Sequence, residues 1–185
     1  MALAVDDVGI LKQSEALSKI VATIIVPAYN EEAGIGFVLE SIFEAVDGEC
    51  EVLVVDDGSA DATPRIASAF RCGVIRHGEN RGKGEAMMTG LRHAGGEYVI
   101  FIDADGTYPA SFIPRMIDAL GSSDVVYCSR RRGRANIPFL NRVGNKVFQN
   151  TIRYVYGFRG RDYCTGLYGM RKRHLEKMDI VSRRF

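Results

Sequence analysis

Two aspartates, Asp103 and Asp105, are the residues best suited to chemistry, because they directly follow a short apolar run, Tyr98–Ile102. Side chains two positions apart on an extended backbone point the same way. Two carboxylates on one face repel each other unless a cation lies between them. Mg²⁺ and Mn²⁺ favour oxygen ligands, typically one or two carboxylates together with a substrate's phosphates. The pair thus favours a divalent-cation site for a diphosphate; solvated aspartates in a strand-end turn are the alternative.

A second acidic pair, Asp56 and Asp57, ends another apolar run, Val52–Val55. One of these carboxylates could bind the base or ribose of a nucleotide, and the following Gly58-Ser59 turn would let a backbone approach closely. The alternative is a turn that only ends the strand. Both interpretations stay open from the residues alone.

The segment Asn80–Gly84, which includes Lys83, could hold phosphate at the start of a helix. It is not a P-loop, because His77 stands where the first glycine belongs and Gly84 where Ser or Thr belongs. A tight loop that closes a βα unit is the alternative interpretation.

A basic segment, Ser129–Arg134, carries guanidinium groups of the kind that bind phosphate bidentately. A solvated loop and a nucleic-acid patch are the alternatives, and a net charge of only +1 argues against nucleic acid. The histidines, His77, His93 and His174, have no ligand spacing, so we expect them on the surface or in loops.

Apolar runs alternate with helical patterns from Val21 onward. The predicted strands are Val21–Pro27, Val52–Val55, Gly73–Arg76, Tyr98–Ile102 and Val125–Cys128. The predicted helices begin after Asn30, pass through Ile66 and Phe70, and cover Gly82–Ala94, Pro109–Gly121 and Phe139–Tyr156. Asn30 is the expected N-cap of the first, with Glu31 and Glu32 in its first turn. We assign neither a helix nor a strand to the glycine-rich segment Cys164–Met170.

This alternation predicts an α/β fold with a mostly parallel central sheet flanked by helices. Ligands of such sheets bind beyond the carboxyl ends of the strands. The polar segments all follow predicted strands, so acidic and basic groups should converge on one edge. They are Tyr29–Glu32, Asp56–Ser59, Asp103–Thr107 and Ser129–Arg134.

The composition, 46% hydrophobic and 25% charged over 185 residues, predicts one soluble domain over 21–185 after a leader at 1–20. Four widely spaced cysteines argue against a zinc site and for reduced thiols. Asp6 and Asp7 stand where a secretory signal would be basic, and no apolar run could span a membrane. We therefore expect a cytoplasmic location.

Six segments in order resemble the family-2 glycosyltransferases of the dolichol-phosphate mannose and dolichol-phosphate glucose synthase type. The matching segments are Val26–Glu31, Val55–Thr63, Asn80–Gly84, Asp103–Pro109, Ser129–Arg130 and Asp162–Tyr168. The resemblance implies a Rossmann-like, GT-A-type nucleotide-diphospho-sugar transferase fold. It also implies an inverting transfer of a hexose from a GDP- or UDP-linked sugar, such as GDP-mannose or UDP-glucose, to a polyprenyl or dolichyl phosphate.

Roles are carried over from the family residue by residue. The donor-binding positions would be Pro27, Tyr29, Glu31, Val55, Asp57, Lys83, Asp103, Ala104, Asp105, Arg130 and Arg142. Asp103 and Asp105 would bind Mg²⁺ or Mn²⁺. Thr107 would be the third metal ligand, where relatives commonly carry Gln. Asp105 and Arg130 are the expected catalytic residues, with Arg130 and Arg142 near the acceptor phosphate.

An acceptor phosphate is already ionised near neutral pH, so catalysis would rest on positioning and on stabilising the leaving diphosphate. Relatives continue past Tyr168 with acceptor-side elements and often membrane helices, so we expect this domain to be truncated there. We expect no nucleic-acid partner; a lipid acceptor would require peripheral contact with a membrane. Two alternatives are a transferase of the same fold acting on a sugar hydroxyl, and a non-catalytic nucleotide-sugar-binding module.

Overall fold

The computed structural model describes residues 20–46, 48–128 and 165–175, which form a six-stranded sheet flanked by helices. Several predictions lie outside these residues. They are the leader before residue 20, the Ser129–Arg134 segment with Arg130, the helix at Phe139–Tyr156 with Arg142, and the start of the Asp162–Tyr168 motif.

The strands follow the order β3-β2-β1-β4-β6-β5 across the sheet. They are β1 (Ala22–Ala28), β2 (Cys50–Asp56), β3 (Gly73–Arg76), β4 (Tyr98–Ile102), β5 (Val125–Tyr127) and β6 (Leu167–Arg171). The first four are parallel, whereas β6 runs antiparallel to both β4 and β5. Ala28 lies opposite Asp56, so the loops after β1 and β2 leave the sheet side by side.

Helices cover both faces of the sheet. They are α1 (Ile35–Ala45), α2 (Thr63–Ala67), α3 (Lys83–His93), α4 (Ile113–Leu120) after a 3₁₀ turn at Ala110–Phe112, and α5 (Lys172–Leu175). Successive residues of a strand point to opposite faces. Accordingly Ile24 packs in the core that contains α1 and α4, whereas Ile25 packs with Ala86 and Leu91 of α3. Within the described ranges, no helix combines the length and apolar character needed to cross a bilayer.

The predicted N-cap at Asn30 is wrong. Helix α1 begins four residues later than expected from that cap, at Ile35, with no acidic residue in its first turn. Asn30 instead adopts φ 54°, a left-handed conformation that asparagine tolerates, and its Oδ1 accepts a hydrogen bond from the Ala60 N–H. The Asn30 side chain therefore binds a residue of another loop instead of capping the helix, as the local sequence had suggested.

Two further elements differ from the prediction. Helix α2 ends at Ala67, before Phe70, whose side chain stacks on Phe43 of α1. The glycine-rich segment contains strand β6, which the sequence pattern did not indicate. At Gly169 a side chain would come within 3.0 Å of Ile100, so close packing of β6 on β4 accounts for a residue of low strand propensity.

Candidate functional site

The carboxyl ends of β1, β2 and β4 and the start of α3 enclose a cavity of about 360 Å³, a size typical of small-ligand sites. It is lined by Pro27, Ala28, Tyr29, Glu31, Asp57, Asn80, Lys83, Ala86, Asp103, Ala104 and Asp105. Three of the polar segments expected at this edge of the sheet therefore meet, and the fourth lies outside the described residues.

Most predicted site residues that the structure describes line this cavity. They are Pro27, Tyr29, Glu31, Asp57, Lys83, Asp103, Ala104 and Asp105. Val55 does not, because its side chain is fully buried in the core beside α3. Thr107 lines a neighbouring groove with Phe37 and Tyr108 rather than the cavity itself.

The acidic pair follows β4 in a turn and not in the extended backbone that the sequence analysis assumed. Asp103 comes directly after the strand, and the turn continues through Gly106 at φ 73°. The Thr107 N–H donates a 2.8 Å hydrogen bond to Asp105 Oδ1. Although the backbone prediction was wrong, both carboxylates line the same cavity, which is what a shared cation requires.

A third carboxyl, Glu31, adds to the negative field. Burial raises the pKa of Glu31, and the charges of Asp105 and then Asp103 raise it further, while Lys83 opposes them. The charges of Asp103 and Asp105 therefore act on Glu31 across the cavity. Such a cluster favours a bound cation.

Lys83 is the first residue of α3 and reaches across to the acidic turn. Its Nζ lies 2.6 Å from Asp103 Oδ1, and the lysine side chain is 57% exposed. A lysine in the first turn of a helix, where backbone N–H groups point out of the helix end, is suited to bind phosphate once a ligand arrives. The ammonium is thus placed to contact both an aspartate and an anionic ligand.

Two glycines allow the acidic turn to pack tightly. A side chain at Gly34 would approach within 2.5 Å of the Ala104 carbonyl oxygen, and one at Gly166 would overlap Asp103 Oδ2. The Asp103 N–H also donates a 3.0 Å hydrogen bond to the Gly166 carbonyl. Gly166 therefore leaves the space that the Asp103 carboxylate occupies.

Asp57 is buried and holds the loop that precedes α3. Its Oδ1 accepts a 2.9 Å hydrogen bond from the Arg81 N–H, and its Oδ2 accepts a 2.7 Å bond from the Gly82 N–H. His77 Nδ1 lies 2.6 Å from Asp57 Oδ1. His77 lies in the loop after β3, one of the two places expected for it, but it is buried rather than on the surface, at only 6% exposure.

The loops after β1 and β2 are joined by reciprocal hydrogen bonds. The Ser59 hydroxyl accepts from the Asn30 N–H, and Thr63 Oγ1 accepts from the Glu31 N–H. Asp61 Oδ2 accepts from the Glu32 N–H. Desolvation raises the pKa of Asp61, but the hydrogen bonds from Thr63 and Glu32 together outweigh it, so this pKa lies below its usual value. This network holds Tyr29 and Glu31 at the rim of the cavity.

The donor atoms around the acidic turn fit Mg²⁺ or Mn²⁺. The cavity offers carboxylate oxygens, the ligands such cations prefer. Within residues 20–46, 48–128 and 165–175, no group of three or more His, Cys, Asp or Glu side chains is arranged to enclose a metal. Two carboxylates with the remaining positions open correspond to a cation that is completed by a substrate's phosphates.

The profile of glycosyl transferase family 2 matches residues 23–179. The chain belongs to this family. The predicted family resemblance and the predicted GT-A-type fold are both confirmed, and membership confirms the enzyme class, a glycosyltransferase. The cavity described above is therefore the candidate active site of a glycosyl transferase family 2 domain.

Relatives support the same assignment. A dolichyl-phosphate hexose transferase of Haloferax volcanii is 34% identical over 158 residues, which cover 84% of this chain and 68% of that protein. A mannosyltransferase from Pyrobaculum calidifontis, solved in complex with GDP-Man and Mn²⁺, has a TM-score of 0.64 at 29% identity, covering 84% of this chain and 46% of that one.

A third similar protein is glucosyl-3-phosphoglycerate synthase from Mycobacterium tuberculosis, solved with Mn²⁺, UDP and phosphoglyceric acid. The TM-score is 0.70 at 26% identity, with 83% of this chain and 56% of that chain covered. The chain spans about half the length of most of the curated relatives it matches.

Sequence reasoning missed two contributors to this family-2 site. The spacing of His77 from other polar residues gave no sign of a role. Its position next to Asp57 follows from the pairing of β2 with β3, which the hydrogen bond from the His77 N–H to the Asp56 carbonyl continues. Gly166 belongs to a motif that was recognised, but its packing against Asp103 depends on strand β6, which was not predicted. The sequence signal for it would have been a glycine, Gly166, directly before a strand that pairs with β4.

Proposed function

We propose that this family-2 domain transfers a hexose from a nucleotide-diphospho-sugar to a polyprenyl phosphate, with inversion at the sugar. The observation that carries the proposal is the meeting of Asp103, Asp105 and Lys83 in one cavity at the carboxyl edge of a parallel sheet. Paired acids and a helix-terminal lysine are the chemistry that a metal-bound diphosphate requires.

The donor would lie along the cavity from β1 towards the turn after β4. Its nucleoside would contact Pro27, Tyr29 and Glu31, and Asp57 would shape that end through the loop it holds. Tyr29 is 47% exposed, so its ring is free to contact a base. The donor is GDP- or UDP-linked, a proposal supported by the two solved relatives, one of which binds GDP-Man and the other UDP.

The diphosphate would lie between the Lys83 ammonium and the acidic turn. Asp103 and Asp105 would hold Mg²⁺ or Mn²⁺ there, and the ion would supply charge neutralisation as the diphosphate leaves. Thr107 is better placed to orient Asp105 through its N–H than to ligate the ion, because its side chain lines the neighbouring groove. Ala104 would approach the diphosphate through its backbone, since its side chain is buried.

The acceptor is proposed from the named relatives and from its chemistry. A phosphate monoester is ionised near neutral pH, so it attacks without a strong general base, and positioning accounts for most of the catalysis. We assign Arg130 and Arg142, which lie outside the described residues, to the phosphates. A lipid acceptor would bring the domain into peripheral contact with the cytoplasmic face of a membrane.

A small phosphorylated acid is the second candidate acceptor. It is favoured by the likeness to the synthase solved with phosphoglyceric acid. Both acceptors carry a phosphate that the same cationic groups could bind, so only a transfer assay with each acceptor separates them.

The test is thermal stabilisation by GDP, UDP and their hexose conjugates, with and without Mn²⁺, followed by transfer of labelled hexose. We expect metal-dependent stabilisation that Asp105→Ala abolishes and that Asp118→Ala, a change at an exposed aspartate of α4, leaves intact. Label should then appear on a short polyprenyl phosphate. If neither nucleotide stabilises the protein with Mn²⁺, the proposed function is wrong.

A further inference from the structure

We propose that His77 is a positioning residue for the sugar-nucleotide donor, acting through Asp57 on the loop that presents Lys83. The inference rests on the proposed function, since it concerns the same cavity. His77 itself does not line that cavity. Its influence would pass along hydrogen bonds that link β3, β2 and α3.

The imidazole of His77 is held at both nitrogens. Nδ1 lies 2.6 Å from Asp57 Oδ1, and Nε2 lies 3.0 Å from the Thr89 hydroxyl on α3. Its side chain is 5% exposed and that of Asp57 is 3% exposed, so water does not compete for either bond. The contact at Nδ1 orients the Asp57 carboxylate, whereas the contact at Nε2 holds the other side of the ring against α3.

That carboxylate in turn determines where the loop before α3 lies. Asp57 accepts the N–H groups of Arg81 and Gly82, and Gly82 adopts φ 93°, a conformation that only glycine takes readily. Lys83 follows immediately and begins α3. A rotation of the Asp57 carboxylate would therefore move the helix start and the lysine that faces Asp103.

Packing alone does not account for a histidine at this place. Burying an imidazole beside a carboxylate costs desolvation that an apolar side chain of similar size would avoid. A residue needed only to fill space between β3 and α3 would have no reason to be polar. The two directed hydrogen bonds point to a role in orientation.

The test uses two substitutions that each keep one nitrogen. The amide nitrogen of asparagine falls near the position of Nδ1, whereas that of glutamine falls near Nε2. His77→Asn should keep the bond to Asp57, and UDP or GDP should bind in the presence of Mn²⁺ with a Kd within about twofold of the wild type. His77→Gln should lose that bond and weaken binding by about tenfold.

The two His77 variants should also differ in KM more than in kcat. With His77→Gln, KM for the donor should rise about tenfold while kcat changes less, because the chemistry at the acceptor is untouched. His93→Gln, a matched change at the exposed end of α3, should alter neither. Equal binding by His77→Gln and the wild type, or equal weakening by Asn and Gln, would overturn the inference.

Hydrogen exchange gives a measurement that does not depend on catalysis. The amides of Arg81 and Gly82 should exchange faster in His77→Gln than in His77→Asn or the wild type. If His77→Gln does not fold, Thr89→Val replaces it: it keeps the Asp57 bond, so a tenfold loss of nucleotide affinity would contradict the inference. A wild type that binds no nucleotide would overturn the proposed function, while the exchange data would still test the coupling.

Discussion

The two acidic sides of the cavity are built differently. Asp57, after β2, is buried and accepts hydrogen bonds from two backbone amides as well as contacting His77. Asp105, after β4, is exposed and accepts one bond within its own turn, while Asp103 is paired with a largely exposed lysine. A buried carboxylate whose oxygens are occupied organises the chain, whereas an exposed one remains available to a ligand.

The comparison predicts that Asp57→Asn has the largest effect. An amide nitrogen would face backbone N–H groups, leaving buried donors without an acceptor, at a cost of about 1–3 kcal/mol. We expect that loss in urea unfolding, together with loss of nucleotide binding. Asp103→Asn should instead reduce metal-dependent binding with little change in unfolding free energy. Equal destabilisation by both substitutions would remove the distinction between the two sides.

Lys83→Met should change the affinity of the acidic turn for metal and for nucleotide in opposite directions. Removing the ammonium frees Asp103, so Mn²⁺ alone should bind more tightly, while a nucleoside diphosphate loses a cationic partner and should bind about tenfold more weakly. Calorimetry with each ligand measures both. A parallel fall in both affinities would show that Lys83 supports the fold of the turn instead.

Gly166→Ala should displace the Asp103 side chain and should destabilise the fold less than Asp57→Asn does. The added methyl group would overlap a carboxylate oxygen at the end of a side chain, which can rotate away, although it would also press on the Tyr108 ring at 2.7 Å. We expect Mn²⁺-dependent nucleotide affinity to fall several-fold while the melting temperature changes by a few degrees. Gly78→Ala, where a side chain meets nothing within 4 Å, is the control.

Asp61→Ala should have the smallest effect and the clearest pH dependence. Hydrogen bonds lower the pKa of Asp61 below its usual 3.8, so the stability it contributes is present above that pH. That contribution is lost as the pH falls through the folded-state pKa. The wild type and the variant should therefore differ in unfolding free energy at pH 7 and converge near pH 2. A difference that persists at low pH would exclude the carboxylate as its source.

The buried parallel strands could be predicted from the sequence, because continuous apolar runs leave few alternatives. Strands β3 and β4 have the predicted bounds, Gly73–Arg76 and Tyr98–Ile102. Strand β6 was missed because its pairing with β4 joins residues far apart in the chain, and a central glycine, Gly169, weakens its local pattern. Non-local register, rather than propensity, decides such a strand.

The candidate site divides in the same way. Residues directly after β1, β2 and β4 were predicted because a strand's end locates them. The Asn30 cap was misjudged and the contact of His77 was missed because their partners, Ala60 and Asp57, lie on other loops, and the sequence does not reveal how those loops pack. The spacing of residues along the chain does not predict contacts between such distant positions.

The central claim is that Asp103 and Asp105 share a divalent cation with the diphosphate of the donor. Paramagnetic resonance of Mn²⁺ tests it most directly, with free ion measured during titration of the protein in the presence and absence of UDP or GDP. The account predicts weak binding of Mn²⁺ alone and tight binding with the nucleotide, lost in the double variant Asp103→Ala/Asp105→Ala. Nucleotide-dependent Mn²⁺ binding that survives in that variant would contradict it.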